Sequence, residues 1–150
     1  MYKTIVTGTD GSESANKAVE HAIQLAKLAG AKLHIVSAYK SVPAIAMAAP
    51  DAMSQLGAAA PEWESQVLKE VNAMVGELEK QAKDSGVDAE GRAFEGDPAE
   101  VIVELADKFK VDLIVIGNRG MSGPGRFLLG SVPNKISHHA PCSVLIVHTS

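Results

Sequence analysis

The residues best suited to chemistry lie between Ile114 and Ser131, in the run IVIGNRGMSGPGRFLLGS. Gly117 follows an apolar stretch from Val111 to Ile116, Gly120 comes three residues later, and Gly130-Ser131 ten residues after that. Glycines after a buried strand let the backbone approach a ligand and turn its N–H groups toward it. Ser131 and Val132 open a segment with helical spacing, and the unpaired N–H groups at a helix start favour an anion. Arg119 and Arg126 sit in the same loop, and Arg119, between two glycines, can offer a guanidinium fork to a phosphate. Strand, glycine loop, hydroxyl and helix start together describe a phosphate cradle. The chemistry implied is nucleotide binding, although neither GxxxxGK[ST] nor GxGxxG is present.

A second chemical element is Asp10, placed just beyond the first apolar strand. Its carboxylate can accept hydrogen bonds from ribose hydroxyls or an adenine amino group, or it can cap the next helix. The five histidines show no metal-ligand spacing, and a helix would point the adjacent His138 and His139 in different directions. The pattern specifies neither a Ser/His/Asp nor a Cys/His arrangement, and no carboxylate pair has an acid/base setting. These features speak for a binding protein rather than a hydrolase. Slow turnover of the bound nucleotide, or self-phosphorylation, is the enzymatic alternative.

Positioning these groups requires alternating strands and helices. Lys3 to Thr7 reads as a strand ending at Gly8-Thr9-Asp10-Gly11-Ser12, where Ser12 or Asp10 can cap a helix through Ala15, Ala18, Val19, Ala22, Ala26 and Ala29. Gly30 stops that helix, and Lys32 to Tyr39 forms the second strand. Ser41 to Pro61 holds one charge, Asp51, and three prolines, and reads as a long flexible insert or lid. Helical spacing resumes from Glu62 to Lys83, Gly86 ends it, and Ala89 to Phe94 reads as an edge strand. Asp97-Pro98-Ala99-Glu100 opens a further helix, with Asp97 as cap, proline in the first turn and Glu100 able to reach back. Val111 to Ile116 is the fourth strand, Val132 to His139 a short helix closed by Pro141, and Ser143 to Val147 the fifth strand.

Strands apolar on both faces and alternating with helices call for an open, mostly parallel sheet covered on each side. Such sheets bind ligands beyond the carboxyl ends of their strands, where the strand order reverses. The first and fourth strands, both ending in glycine-bearing loops, are the natural neighbours there. The chain is therefore expected to be a single α/β domain spanning residues 1–150.

Composition narrows the function classes. The 150 residues carry a net charge of −4, and no two Lys or Arg residues are adjacent, so phosphate neutralisation on nucleic acid has little support. Aromatic residues make up 4% against 46% hydrophobic, so the core is aliphatic. Cys142, the one cysteine, excludes an internal disulfide and reads as a small core residue. No apolar run approaches the ~20 residues needed to cross a bilayer, and no signal-peptide pattern precedes the first strand. No membrane association is expected, and the cytoplasm is the expected compartment. An apolar last strand at a sheet edge, residues 143–148, is expected to pair with its own copy in a homodimer.

These residues together resemble the universal stress proteins, specifically the ATP-binding type. The family pattern G-x2-G-x9-G-[S/T] is matched by Gly117, Gly120, Gly130 and Ser131, and the opening TGTDGSESA and the ending GSVPNKISHHAPCSVLIVH are similar to the family's first loop and closing elements. The resemblance implies a Rossmann-like parallel five-stranded sheet, order 3-2-1-4-5, with helices on both faces, and dimerisation through the last strand. It further implies that Gly8, Thr9 and Asp10 line the adenine and ribose end and that Ala38 forms an adenine wall. Gly117, Asn118, Arg119, Gly120, Gly130, Ser131 and Val132 would hold the phosphates. The implied ligand is ATP, with or without Mg²⁺, in a stress-response or regulatory role. Gly8 stands where many ATP-binding members carry a larger residue, and Asn118 and Pro124 leave the phosphate number open. A shorter or cyclic adenine nucleotide, such as ADP, AMP or cyclic AMP, is the alternative.

Overall fold

β-branched and aliphatic runs bounded by glycine build the centre of the molecule. The computed structural model describes residues 1–119 and 129–149. Five strands, β1 (Thr4–Gly8), β2 (Lys32–Tyr39), β3 (Ala89–Glu95), β4 (Leu113–Gly117) and β5 (Ser143–Val147), form one sheet in the order β3-β2-β1-β4-β5. Every pairing is parallel, with Ile5 opposite both Leu33 and Leu113. The switch point therefore falls between β1 and β4, which places the two glycine-bearing loops side by side.

Helices cover both faces, as a parallel sheet requires. On one face α1 (Glu13–Ala29) and α4 (Ala60–Asp84) pack Ala18, Val19, Ala22, Leu78 and Ala82 over Ile5, Leu33, Ile35 and Val115. On the other, α5 (Pro98–Lys108) and α6 (Ser131–His139) pack Ala99, Ile102, Leu105 and Ile136 over Val6, Val36, Ile114 and Ile116. Each fully buried Ile or Leu contributes about 1.5–3 kcal/mol. Cys142 packs at the margin of the second cluster, and burial pushes its thiol pKa up, which suits a structural residue.

The helix signals act at the positions read from the sequence. Ser12 caps α1 by accepting the Ala15 amide at 3.1 Å, and Gly30 ends it in a left-handed conformation at φ 63°. Asp97 caps α5 through the amides of Ala99 and Glu100, each at 3.1 Å. Glu100 does not reach back to complete a capping box. Its carboxylate instead meets Lys135 of α6 at 2.9 Å, because Lys135 offers a charge where the capping amide offers only a dipole.

The stretch from Ser41 to Pro61, expected as a loop, is helical over most of its length. It forms α2 (Val42–Ala48), α3 (Pro50–Leu56) and a 3₁₀ turn at Gly57–Ala59 that runs into α4. The prolines that suggested a loop occupy the first turns of α2, α3 and α4, where a missing N–H breaks no helical bond. Alanine, the best helix former, fills much of the rest. Ser41 caps α2 through the Ala44 amide at 3.4 Å.

Candidate functional site at the carboxyl ends of β1 and β4

Two loops meet at the switch point. After β1 the chain makes a tight turn held by Thr9, whose amide donates to Val36 O at 2.9 Å and so extends the β1–β2 ladder. The Thr9 hydroxyl donates to Asn16 Oδ1 at 3.2 Å and accepts the Gly11 amide at 3.0 Å. Asp10 is exposed at the tip and accepts the Ser12 amide at 2.9 Å. Gly11 has φ 81°, a conformation that favours glycine, and a Cβ there would lie 2.8 Å from Met74 Sδ on a flexible side chain. Met74 thereby brings α4 against the β1–α1 turn.

The second loop starts from β4. Gly117 is buried, and the Asn118 amide donates to Val147 O at 3.0 Å, tying the ends of β4 and β5 together. The Gly130 amide returns to Asn118 O at 2.9 Å. That bond joins the end of β4 to the start of α6 in a narrow neck. A Cβ on Gly130 would stand 3.2 Å from Asn118 O and 3.5 Å from Arg119 Cα, so a side chain there would press on the Asn118 carbonyl.

At the neck α6 begins with Gly130 as its N-cap and no side-chain capping bond. Pro133 has no N–H, and the Asn134 amide already donates to Gly130 O at 3.0 Å. The first turn therefore presents the amides of Ser131 and Val132, together with the exposed Ser131 hydroxyl. A glycine cap in place of Ser or Asp leaves those donors and the dipole for an anion. Arg119 is partly exposed, and among the described residues its guanidinium has no ion-pair partner.

Most of the residues implied by the family resemblance converge. Gly8, Thr9 and Asp10 end β1, Gly117, Asn118 and Arg119 end β4, and Gly130, Ser131 and Val132 open α6. Ala38 lies one strand away on β2, opposite Phe94 of β3 and partly buried beside the α5 cluster. Gly8 is enclosed from the same side: a Cβ there would meet Ile102 Cδ1 at 2.5 Å and Ile116 Cδ1 at 3.2 Å. The Asn118 carboxamide oxygen accepts from Thr149. Gly120 and Arg126 lie outside the described residues.

Sequence reasoning overlooked Ser14 and Thr149. The Ser14 hydroxyl donates to Arg119 O at 3.1 Å, joining the first turn of α1 to the glycine loop. Thr149 is 8% exposed and reaches Asn118 and Ser14 together. No local pattern marks either residue, since each partner is more than thirty positions away.

Among the described residues no group of three or more His, Cys, Asp or Glu could hold a metal ion. Among the same residues no helix is long and apolar enough to cross a membrane.

A parallel sheet in this order, with an anion-ready helix start at its switch point, defines a nucleotide-type α/β fold. The chain belongs to the universal stress protein family, whose pattern it matches over residues 1–148. It is 40% identical to universal stress protein Rv1636 of Mycobacterium tuberculosis over 99% of this chain and 98% of that one. It is 36% identical to universal stress protein MJ0531 of Methanocaldococcus jannaschii over 98% of this chain and 82% of the relative. Among solved structures, a universal stress protein in complex with cyclic AMP is 39% identical, covers 99% of this chain and 98% of its own, and superposes with a TM-score of 0.71. Universal stress protein UspA from Lactobacillus plantarum is 25% identical, covers 98% of each chain and has a TM-score of 0.74.

Proposed function

We propose that this chain binds an adenine nucleotide and acts as a ligand-dependent regulatory protein of the stress response. Gly8, Thr9, Asp10 and Ala38 receive the base and ribose, with the Asp10 carboxylate accepting from ribose hydroxyls. Gly117, Asn118, Arg119, Gly120, Gly130, Ser131 and Val132 form the phosphate end, largely through main-chain amides. The observation that carries this reading is the neck at Asn118 and Gly130, which sets an uncapped helix start beside the β1 loop.

ATP is the ligand implied by the glycine pattern, and Mg²⁺ would accompany its phosphates. Cyclic AMP is the second reading, favoured by the 39% identical relative solved with that nucleotide. Calorimetric titration of nucleotide-stripped protein with ATP, ADP, AMP and cyclic AMP separates them. Tightest binding of ATP supports the first reading, and tightest binding of cyclic AMP supports the second. Binding of none overturns both.

The sequence specifies no acid/base pairing, so the role proposed is binding rather than turnover. A kcat approaching the ~1 s⁻¹ at the low end of ordinary enzymes would contradict it. The proposal extends to assembly: β5 is an edge strand with Leu145 37% exposed, and residues 143–148 would pair across a two-fold axis with a second copy. Sedimentation at high micromolar concentration tests this, and monomer alone would remove it.

A further inference from the structure

The neck of the glycine loop is held from behind by a residue that follows β5. The Thr149 amide donates to Asn118 Oδ1 at 3.0 Å, and its hydroxyl donates to the same oxygen at 2.9 Å. On its other side the Thr149 hydroxyl contacts the Ser14 hydroxyl, and Ser14 Oγ also donates to Arg119 O at 3.1 Å. Lys17 Nζ reaches Thr149 O at 3.4 Å. The two hydroxyls have two hydrogens between them, so the Ser14–Thr149 contact competes with the bonds to Asn118 and Arg119 for a donor, and the two residues adjust together.

We propose that Thr149 is a positioning residue for phosphate binding. Its contacts hold Asn118, to whose carbonyl the Gly130 amide returns, and reach Arg119 only by way of Ser14. Amides aimed at an anion bind well only when held in place beforehand, because ordering them on binding subtracts from affinity. Thr149 acts through Asn118, and Ser14 acts through Arg119. The base and ribose end, built on Thr9 and Ala38, is anchored separately through Val36 and β3. Loss of the clasp therefore weakens phosphate recognition while leaving nucleoside recognition in place.

This inference rests on the adenine-nucleotide reading. The test compares ATP and adenosine binding by wild type, Thr149→Val, Thr149→Ser and Ser14→Ala. Valine keeps the volume and the amide but removes the hydroxyl, which is worth about fivefold in ATP affinity. The expected result is that loss for ATP in Thr149→Val and in Ser14→Ala, adenosine affinity unchanged within about twofold, and recovery in Thr149→Ser. Equal ATP affinity, or equal losses for ATP and adenosine, would overturn the positioning role while leaving nucleotide binding intact. Failure of wild type to bind either compound would overturn the nucleotide reading and this inference with it. Amide hydrogen exchange reads the clasp without any ligand: the Gly130 amide should exchange about tenfold faster in Thr149→Val, and unchanged protection would overturn the proposal. If Thr149→Val does not fold, Ser14→Ala decides by the same two readouts.

Discussion

The amide of Gly130 donates to the carbonyl of Asn118 at 2.9 Å, so the end of β4 and the start of α6 meet at a single point. That bond consumes the one amide that would otherwise precede the helix. It leaves Ser131 and Val132 as the first donors of α6, directed out of the same neck. Replacing Gly130 by valine places a side chain where Asn118 O stands 3.2 Å and Arg119 Cα 3.5 Å from the Cβ. The Asn118 carbonyl is backbone and would have to give by a few tenths of an ångström, and it is the acceptor of the bond that closes the neck. Nucleotide affinity should fall at least about tenfold, with stability lowered by about 1–2 kcal/mol. Parallel calorimetric and thermal measurements check the two effects.

Two other glycines make a contrast that depends on what their missing side chains would touch. At Gly91 a Cβ would lie 2.5 Å from Val75 O and 3.0 Å from Val75 C, both backbone atoms of α4. At Gly8 the 2.5 Å neighbour is Ile102 Cδ1, the tip of a flexible side chain. Gly91→Ala should therefore cost about 3 kcal/mol and Gly8→Ala about 1 kcal/mol. Chemical denaturation measures both, and Ile102→Val should relieve the Gly8→Ala loss but not the Gly91→Ala loss.

Thr7 is fully buried in β1, opposite Ile35 and Val115, and its hydroxyl has no partner among the described residues. A buried hydroxyl without a partner carries its desolvation penalty uncompensated. Thr7→Val keeps the shape and should stabilise the protein by about 1 kcal/mol, read as a higher denaturant midpoint at constant slope. A lower midpoint would mean that the hydroxyl is satisfied in solution.

His34 contributes to the acid side of the stability profile. Its ring stacks on Phe109 with centroids 4.8 Å apart and planes 12° apart. Burial lowers its pKa below the usual 6.5, Lys32 and Arg92 act in the same direction, and Glu90 at 3.7 Å and Asp88 oppose. The folded state thus resists a proton that the unfolded chain accepts. This contribution is present above pH 6.5 and is lost as pH falls from there toward the lower folded pKa. Thermal scans between about pH 7.5 and pH 5.5 should show wild type losing more stability than His34→Gln, and parallel curves would contradict the assignment.

Much of the fold was legible because its signals are local. Gly30 at a left-handed position, Asp97 at a cap and the aliphatic run of β4 each act within a few residues of themselves. The glycine spacing reads as a phosphate cradle; the bond from Gly130 to Asn118 that joins its two ends appears only in the structure. The 41–61 stretch was misread because proline is ambiguous in one dimension: it breaks a helix interior yet suits a helix start. The Glu100 pairing was missed because its better partner, Lys135, lies thirty-five positions away. Thr149 escaped for the same reason, as its role exists only once β5 lies beside β4.

The most direct measurement is the two-dimensional amide spectrum of isotope-labelled protein titrated in parallel with ATP and adenosine. The Ser131 and Val132 amides should shift strongly with ATP and little with adenosine, while Thr9 and Asp10 respond to both. Ser131 and Val132 amides that stay put while ATP binds would place the phosphates elsewhere and contradict the cradle at the start of α6.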